Sequence, residues 1–101
     1  MANLQLIGIE QLGDSEKEIL GRLLKEYQPK IEKKLKGIET IILHIKSQSK
    51  GGRAKHYKII LRIISPSVKL ESTAEEWDFS LALHKSFEEI LKEIGRKTRA
   101  D

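Results

Sequence analysis

The central part of the sequence alternates large aliphatic residues with polar ones, and this alternation restricts the fold more than any other feature. Segments 38–47 and 55–64 are rich in β-branched residues and follow the two-residue period of a β-strand. A polar stretch with two glycines, residues 48–54, joins them and predicts a hairpin whose loop is longer than two residues. One face of this hairpin is apolar and needs cover from the rest of the chain.

The two faces of the predicted hairpin differ in character. The apolar face carries Ile41, Leu43, Ile45, Tyr57, Ile59, Leu61 and Ile63. The opposite face is half apolar and basic, and it carries Ile42, His44, Lys46, His56, Lys58, Ile60, Arg62 and Ile64. We expect this second face to be open to solvent or to a partner.

Two amphipathic helices are predicted to cover the apolar face. In residues 14–37 and 79–94 the apolar side chains recur three and four residues apart, the spacing of one helical face. Asp14 and Ser15 are typical of a helix start, and Asp78 is predicted to cap the second helix. Pro29 interrupts the first helix, and since the apolar stripe continues past it we expect a kink near residue 28 rather than a break.

Two further strands complete the prediction. They cover residues 3–9, before the first helix, and residues 68–73, after a break at 65–67. The order β-α-β-β-β-α predicts an α+β fold, a two-layer sandwich in which two helices cover one face of a mainly antiparallel four-stranded sheet. With 101 residues and no long linker, residues 1–101 are expected to form a single domain.

Composition excludes several classes of site. The chain has no cysteine, so disulfides, thiolate zinc sites and cysteine nucleophiles are excluded. It lacks a secretory signal pattern and the roughly 20 consecutive apolar residues of a membrane helix, so we expect a soluble, cytoplasmic protein. It also lacks Gly-rich phosphate loops and nucleophile motifs. We therefore expect no enzyme activity, no cofactor and no bound metal.

Two groups of residues are candidates for a metal site or a catalytic site, and each also has a simpler interpretation. His44 and His56 share a predicted face, but two imidazoles without a third ligand make a poor metal site, and surface histidines are expected. Glu71, Glu75, Glu76 and Asp78 precede the last helix, where acids favour the helix N-terminus and a solvated loop over catalysis.

Trp77 lies within this acidic segment, and Tyr57 lies in the second strand of the predicted hairpin. Both are interpreted as packing residues rather than as platforms for base stacking, because the chain has few aromatic residues for single-strand recognition.

The charge distribution favours an anionic partner. The net charge is +4, and segment 38–66 holds six basic residues against a single acidic one. The glycines of the hairpin loop let the backbone approach a phosphate, although an ordinary solvated turn has the same composition. The basic residues that we expect to contact RNA in this segment are Lys46, Lys50, Arg53, Lys55, Lys58 and Arg62.

One segment resembles a known family. Residues 70–83, with the sequence LESTAEEWDFSLAL, and the order of the elements resemble the short ribosome hibernation-promoting factors and ribosome-associated inhibitors. In that family the fourth strand ends in small and acidic residues, an aspartate caps the last helix, and an aromatic or methionine residue and small residues follow.

The resemblance implies a domain similar in layout to double-stranded-RNA-binding domains. It also implies a non-catalytic protein that binds the small ribosomal subunit and its ribosomal RNA, in the channel for messenger and transfer RNA, and inhibits or stores idle ribosomes. Carried over by position, the RNA contacts on the two helices are Lys25, Lys30, Lys33, Lys34, Lys85, Lys92, Arg96 and Lys97.

Two other functions remain open at this point. The chain fits another duplex-RNA-binding or ribosome-biogenesis module with the same layout. It also fits a protein-interaction or dimerisation domain, in which Ile42, Ile60 and Ile64 on the open sheet face pair with a second sheet to form a homodimer.

The hairpin loop yields a first prediction. Exchanging Lys50→Glu together with Arg53→Glu is expected to weaken ribosome or RNA binding without unfolding the domain, because surface substitutions change stability by only about 0.5 kcal/mol. Binding assays and thermal melts of the double variant check this. Unchanged binding would remove the loop from the site.

Overall fold

The structure, a computed structural model, describes residues 2–49 and 54–99. In this part of the chain four strands and two long helices follow one another in the predicted order β-α-β-β-β-α. The elements are β1 (Asn3–Ile7), α1 (Asp14–Lys34), β2 (Thr40–Ser49), β3 (Lys55–Ile64), β4 (Lys69–Glu76) and α2 (Phe79–Arg99), with one turn of 3-10 helix at Ile9–Gln11. The predicted α+β fold class is confirmed.

The sheet is mixed, and its strand order is β1-β2-β3-β4. β1 and β2 pair in parallel, because α1 carries the chain back across the sheet between them. The other two pairs are antiparallel. In the hairpin Ile41 lies opposite Ile63 and Leu43 opposite Leu61, which confirms the predicted apolar face.

The core lies between this face of the sheet and the two helices. Side chains with no solvent exposure come from every layer of the sandwich, and they include Ile31, Leu43, Ile45, Ile59, Leu61, Ile63, Leu83, Ile90 and Ile94. Ser86 is also fully buried, and its hydroxyl donates to the carbonyl of Leu83 at 2.8 Å. The carbonyl of Ser86 accepts from the hydroxyl of Ser72 at 2.8 Å and so joins α2 to β4.

Several element boundaries differ from the prediction. α1 ends at Lys34 instead of residue 37, and β2 covers Thr40–Ser49 instead of residues 38–47. β1 ends at Ile7 instead of residue 9, because Gly8 turns the chain with a φ of 89°. β4 continues to Glu76 instead of ending at residue 73, since Ala74 packs into the helix-facing layer opposite Ile59. α2 passes through Gly95 and ends at Arg99.

α1 runs without a break through Pro29. Proline removes one backbone donor and crowds the preceding turn. Tyr27 and Ile31, two residues before and two residues after it, are buried in the core. The proline therefore does not end the helix, as the continued apolar stripe predicted.

The two helices begin with different caps. As predicted, Asp78 caps α2, and its Oδ1 accepts from the backbone N–H of Leu81 at 2.9 Å. The cap of α1 differs from the prediction, because Glu16 Oε1 accepts from the backbone N–H of Gly13 at 2.9 Å. Asp14 is instead the first residue of the helix.

Glu16 also fixes α1 to the sheet. Its other carboxylate oxygen accepts a hydrogen bond from the hydroxyl of Tyr57 on β3. Tyr57 is buried, and its ring lies 5.3 Å from the ring of Phe79 at the start of α2. One carboxylate thus caps a helix and anchors it to the middle of the fold.

The turn after β1 requires glycine at residue 8. A Cβ atom placed there would lie 2.1 Å from the carbonyl oxygen of Ile45, and the positive φ is itself unfavourable for other residues. Gln11 then holds the turn against β2, because its Oε1 accepts from the backbone N–H of Ser47 at 3.0 Å.

A pair of glycine substitutions tests this close approach. Gly8→Ala is expected to lower the free energy of unfolding by more than about 2 kcal/mol, through strain and the clash with β2. The matched control is Gly21→Ala in α1, where a Cβ meets nothing within 4 Å. This control is expected to raise stability by about 0.5–1 kcal/mol. Urea unfolding measures both, and equal stabilities would contradict the geometry at Gly8.

The hydrogen bond of Tyr57 predicts a pH dependence. Burial and then the hydrogen bond to Glu16 raise the pKa of Tyr57 from 10.0 to about 12. The folded state therefore favours the protonated phenol, so its contribution to stability is complete below pH 10 and is lost as the pH rises towards 12.

Comparing the wild type with Tyr57→Phe isolates this effect at alkaline pH, because the phenol is the group that the substitution removes. We expect the difference in unfolding free energy between the two proteins to be constant from about pH 7 to pH 10 and to change in favour of the variant above it. Urea unfolding at a series of pH values measures the difference. A difference that stays constant through this range would contradict the raised pKa.

Candidate nucleic-acid interface

The two helices lie side by side and run in the same direction. Tyr27 of α1 stacks on Phe87 of α2 with ring centroids 4.8 Å apart. Two turns further along, the Nζ atom of Lys34 comes within 4.0 Å of the position that a Cβ would occupy at Gly95. The C-terminal halves of both helices therefore lie together.

Polar side chains lie at one end of the contact between the two helices, which we call the seam. The hydroxyl of Tyr27 is hydrogen-bonded to Nδ1 of His84 at 2.9 Å, and Glu88 Oε2 lies 3.5 Å from it. Burial, followed by the charges of Glu88 and Glu26, raises the pKa of Tyr27 above its usual value. Tyr27 therefore stays a neutral partner in the seam at physiological pH.

Basic residues lie on the C-terminal halves of the two helices, where the helices come together. Lys30, Lys33 and Lys34 surround Leu91 in a shallow groove of about 450 Å³. Arg96 and Lys97 come directly after Gly95 on the last turns of α2. We call these five residues the helix-end cluster: Lys30, Lys33, Lys34, Arg96 and Lys97. The sequence predicted its two halves separately, and the parallel helices bring them together.

Part of the charge of the helix-end cluster is already paired. Lys30 Nζ lies 3.7 Å from Glu26 and 5.1 Å from the centre of the Tyr27 ring. Arg96 contacts Glu93. Lys33, Lys34 and Lys97 form no ion pair with any carboxylate in the described residues. They are the cations that remain free to meet an anionic ligand.

The other predicted helix contacts lie elsewhere. Lys25 is exposed on α1, outside the groove around Leu91. Lys85 and Lys92 border a separate groove between α2 and β4, where Glu75, Glu76 and two further acids also lie. Lys85 contacts Glu76 across this groove. These acids lower the local positive potential, so this side of α2 is a weaker anion site than the helix-end cluster.

The open face of the sheet is less basic than the sequence suggested. Arg62 is paired with Glu71 at 2.7 Å, and His56 Nε2 lies 3.8 Å from Glu75. The prediction missed these contacts because they depend on the register between β3 and β4. That register places Glu71 opposite Arg62 and Glu75 opposite Lys58 on one face.

Three of the predicted sheet cations keep a free charge. Lys46 and Lys58 lie directly opposite one another on β2 and β3. Lys55 is exposed at the start of β3. None of the three forms an ion pair with a carboxylate in the part of the chain that the structure describes. Lys50 and Arg53 lie outside the described residues.

The histidines are dispersed. His44 lies opposite Ile60, whereas His56 lies opposite Gln48, four residues further along the strand pair. Across residues 2–49 and 54–99, no three His, Cys, Asp or Glu side chains are grouped so that they could hold a metal ion. Of the four predicted acids, Glu71 and Glu76 form the ion pairs described above, Asp78 caps α2, and Glu75 lies 3.8 Å from Nε2 of His56.

The interpretation of Trp77 as a packing residue is wrong, whereas that of Tyr57 is confirmed. Tyr57 is 6% exposed, but Trp77 is 57% exposed and touches His56 at a centroid distance of 5.0 Å. Trp77 lies just after β4 and just before the capping residue of α2, outside both amphipathic patterns. That position was the available signal that its ring does not enter the core.

Neither helix in the described part of the chain is long and apolar enough to cross a membrane. No protein-family model matches the sequence, and no curated protein matches it either.

Solved structures do share the fold. A ribosomal subunit interface protein from Coxiella burnetii is similar with a TM-score of 0.66 and 11% identity, over 97% of this chain and 97% of that one. The N-terminal domain of Protein Y from Thermus thermophilus is similar with a TM-score of 0.64 and 10% identity, over 95% of this chain and 98% of that one. The chain has the fold of these proteins. The resemblance drawn from residues 70–83 is therefore confirmed at the level of the fold.

Proposed function

We propose that this chain is a non-catalytic, ribosome-associated RNA-binding protein of the cytoplasm. It binds the small ribosomal subunit through ribosomal RNA and so inhibits or stores idle ribosomes. The observation that carries the proposal is the helix-end cluster, in which two parallel helices bring five cations to one end of the molecule.

The cluster suits a phosphate backbone better than a single small anion. Its groove is shallow and open, with three lysines around one apolar residue and no enclosed polar pocket. Cations spread over such a surface neutralise several phosphates and release counterions, which makes binding tight at low salt and weak at high salt. Binding of this kind depends on shape and charge and shows little sequence preference.

A structural role for the same lysines accounts for only part of the cluster. Cations near a helix C-terminus offset the negative end of the macrodipole, and here two such ends lie together. The macrodipole is equivalent to only about half a charge at each helix end, whereas Lys33, Lys34 and Lys97 each carry a full charge that no carboxylate of the described residues pairs. The excess of cations supports an external anionic partner.

The fold likeness supports the ribosome as the source of that anion. One of the similar proteins is described as a ribosomal subunit interface protein, and the likeness extends over nearly the whole of both chains. The choice of the small subunit and its RNA rests on the family resemblance of residues 70–83.

The open sheet face gives weaker support to a homodimer. Ile42, Ile60 and Ile64 are only partly exposed, and Arg62 lies between Ile60 and Ile64 and opposite Ile42. A stable dimer interface generally needs a larger continuous apolar area. We therefore treat dimerisation through this face as an outcome that the binding experiment also examines.

Co-sedimentation with purified small ribosomal subunits tests the proposal, with naked duplex RNA as the comparison and a series of salt concentrations. We expect binding to the subunits that weakens steeply with salt, and weaker binding to duplex RNA. Equal affinity for duplex RNA would indicate a general duplex-binding module. Absence of binding to either, with a mass that rises with concentration, would indicate the homodimer.

A charge-reversal pair assigns the surface. Lys33→Glu with Lys34→Glu is expected to reduce subunit binding at least tenfold and to lower the slope of log affinity against log salt by about 2, one for each lost phosphate contact. The control, Lys17→Glu with Lys69→Glu, makes the same change in net charge at exposed positions away from the cluster. Equal losses in the two variants would mean that net charge alone governs binding.

A further inference from the structure

Trp77 is a large exposed aromatic residue that neither the core nor the helix-end cluster explains. It is the only tryptophan in the sequence, and 57% of its surface is exposed. It lies between the end of β4 and the start of α2, on the side of the sheet that the helices leave open. Single exposed apolar residues are common on protein surfaces, so a role for Trp77 depends on the groups beside it.

The ring of Trp77 is held in place. His56 on β3 meets it in a T-shaped contact, with centroids 5.0 Å apart and planes inclined at 68°. His56 is mostly buried, with 23% of its side chain exposed, and its Nε2 atom lies 3.8 Å from Glu75. A ring that is ordered before binding loses little conformational freedom when a ligand stacks on it.

Free cations lie next to this aromatic pair. Lys46 and Lys58 line a depression of about 310 Å³ together with Ser47, Gln48, His56 and Glu75. Neither lysine forms an ion pair with a carboxylate of the described residues. Two of the acids around Trp77 are engaged, Glu76 with Lys85 and Asp78 with the start of α2. The third, Glu75, lies opposite Lys58 in the strand register and 3.8 Å from Nε2 of His56.

The combination favours a nucleic-acid strand over a protein segment. A basic protein segment would need an excess of acids beside the tryptophan, whereas the depression holds two lysines against one carboxylate, that of Glu75. An exposed aromatic ring beside cations is the arrangement with which proteins stack bases and hold the adjoining phosphates of a single strand. The bases of a duplex are stacked on one another and present no face to such a ring.

We infer that Trp77, supported by His56, stacks on an unpaired base of single-stranded RNA, and that Lys46 and Lys58 contact the phosphates beside it. This inference rests on the proposed function, since it names the class of RNA that a second surface would bind. The surface lies on the open sheet face and is separate from the helix-end cluster. The protein would therefore contact RNA on two sides.

The single tryptophan allows a direct test. The wild-type protein is titrated with a single-stranded oligoribonucleotide of about 12 nucleotides, a length within the usual range for one small domain. Stacking is expected to quench the fluorescence of Trp77. The same strand annealed to its complement should leave the fluorescence nearly unchanged at equal concentration.

Variants then connect the signal to affinity, which is measured by the anisotropy of a labelled strand. Trp77→Ala is expected to weaken binding to the single strand about 5- to 150-fold, whereas Trp77→Phe retains most of it. Leu81→Ala is the matched control, because Leu81 is also exposed, at 44%, and lies one turn further along. This control should leave affinity unchanged.

The outcomes separate this inference from the proposed function. Quenching by the single strand and a selective loss in Trp77→Ala would support the inference even if the protein failed to sediment with small subunits. Sedimentation with subunits, but no quenching and equal affinities for Trp77→Ala and Leu81→Ala, would overturn it and leave the proposed function intact. Quenching by polylysine but not by RNA would also overturn it, in favour of a basic protein partner.

Discussion

The direction of the strands determines where the charges of this protein meet. β1, β2 and β4 run the same way, because two antiparallel steps separate β2 from β4 and a crossover helix separates β1 from β2. Each helix returns across the sheet against these strands, so α1 and α2 are parallel. Their basic C-terminal halves therefore converge at one end, and the helix-end cluster is a consequence of topology as much as of composition.

Packing against the apolar face of β2 and β3 holds this arrangement. The face consists mainly of isoleucine and leucine side chains from both strands. Buried side chains of the two helices pack against it. The carboxylate of Glu16 and the hydroxyl of Tyr57 anchor the start of α1, and the hydroxyl of Ser72 joins β4 to α2. These contacts fix the two helices at their N-terminal ends and along the seam. They therefore determine where the charged C-terminal ends lie.

Periodicity predicted the layers of the fold, because burial and alternation are properties of local sequence. It also identified the Asp78 cap, and the resemblance of residues 70–83 pointed to the fold that the solved structures share. It could not predict ion pairs between strands, since those depend on register. Glu71 pairs with Arg62 because the register of β4 against β3 places these two residues opposite one another. The registers also place Lys58 between Lys46 on β2 and Glu75 on β4, an arrangement that composition alone does not show.

The exposure of Trp77 depends on its surroundings as well as on the local sequence pattern. A tryptophan between two apolar patterns is more often buried, since burying its large surface is favourable. Here the chain passes from β4 to the cap of α2 at that residue, and the core is already closed by Phe79 two positions later. The ring therefore lies on the open face beside His56, and 57% of its surface is not buried by the rest of the chain. Contact with a base would cover that surface, so the exposed ring and the free lysines have one common explanation.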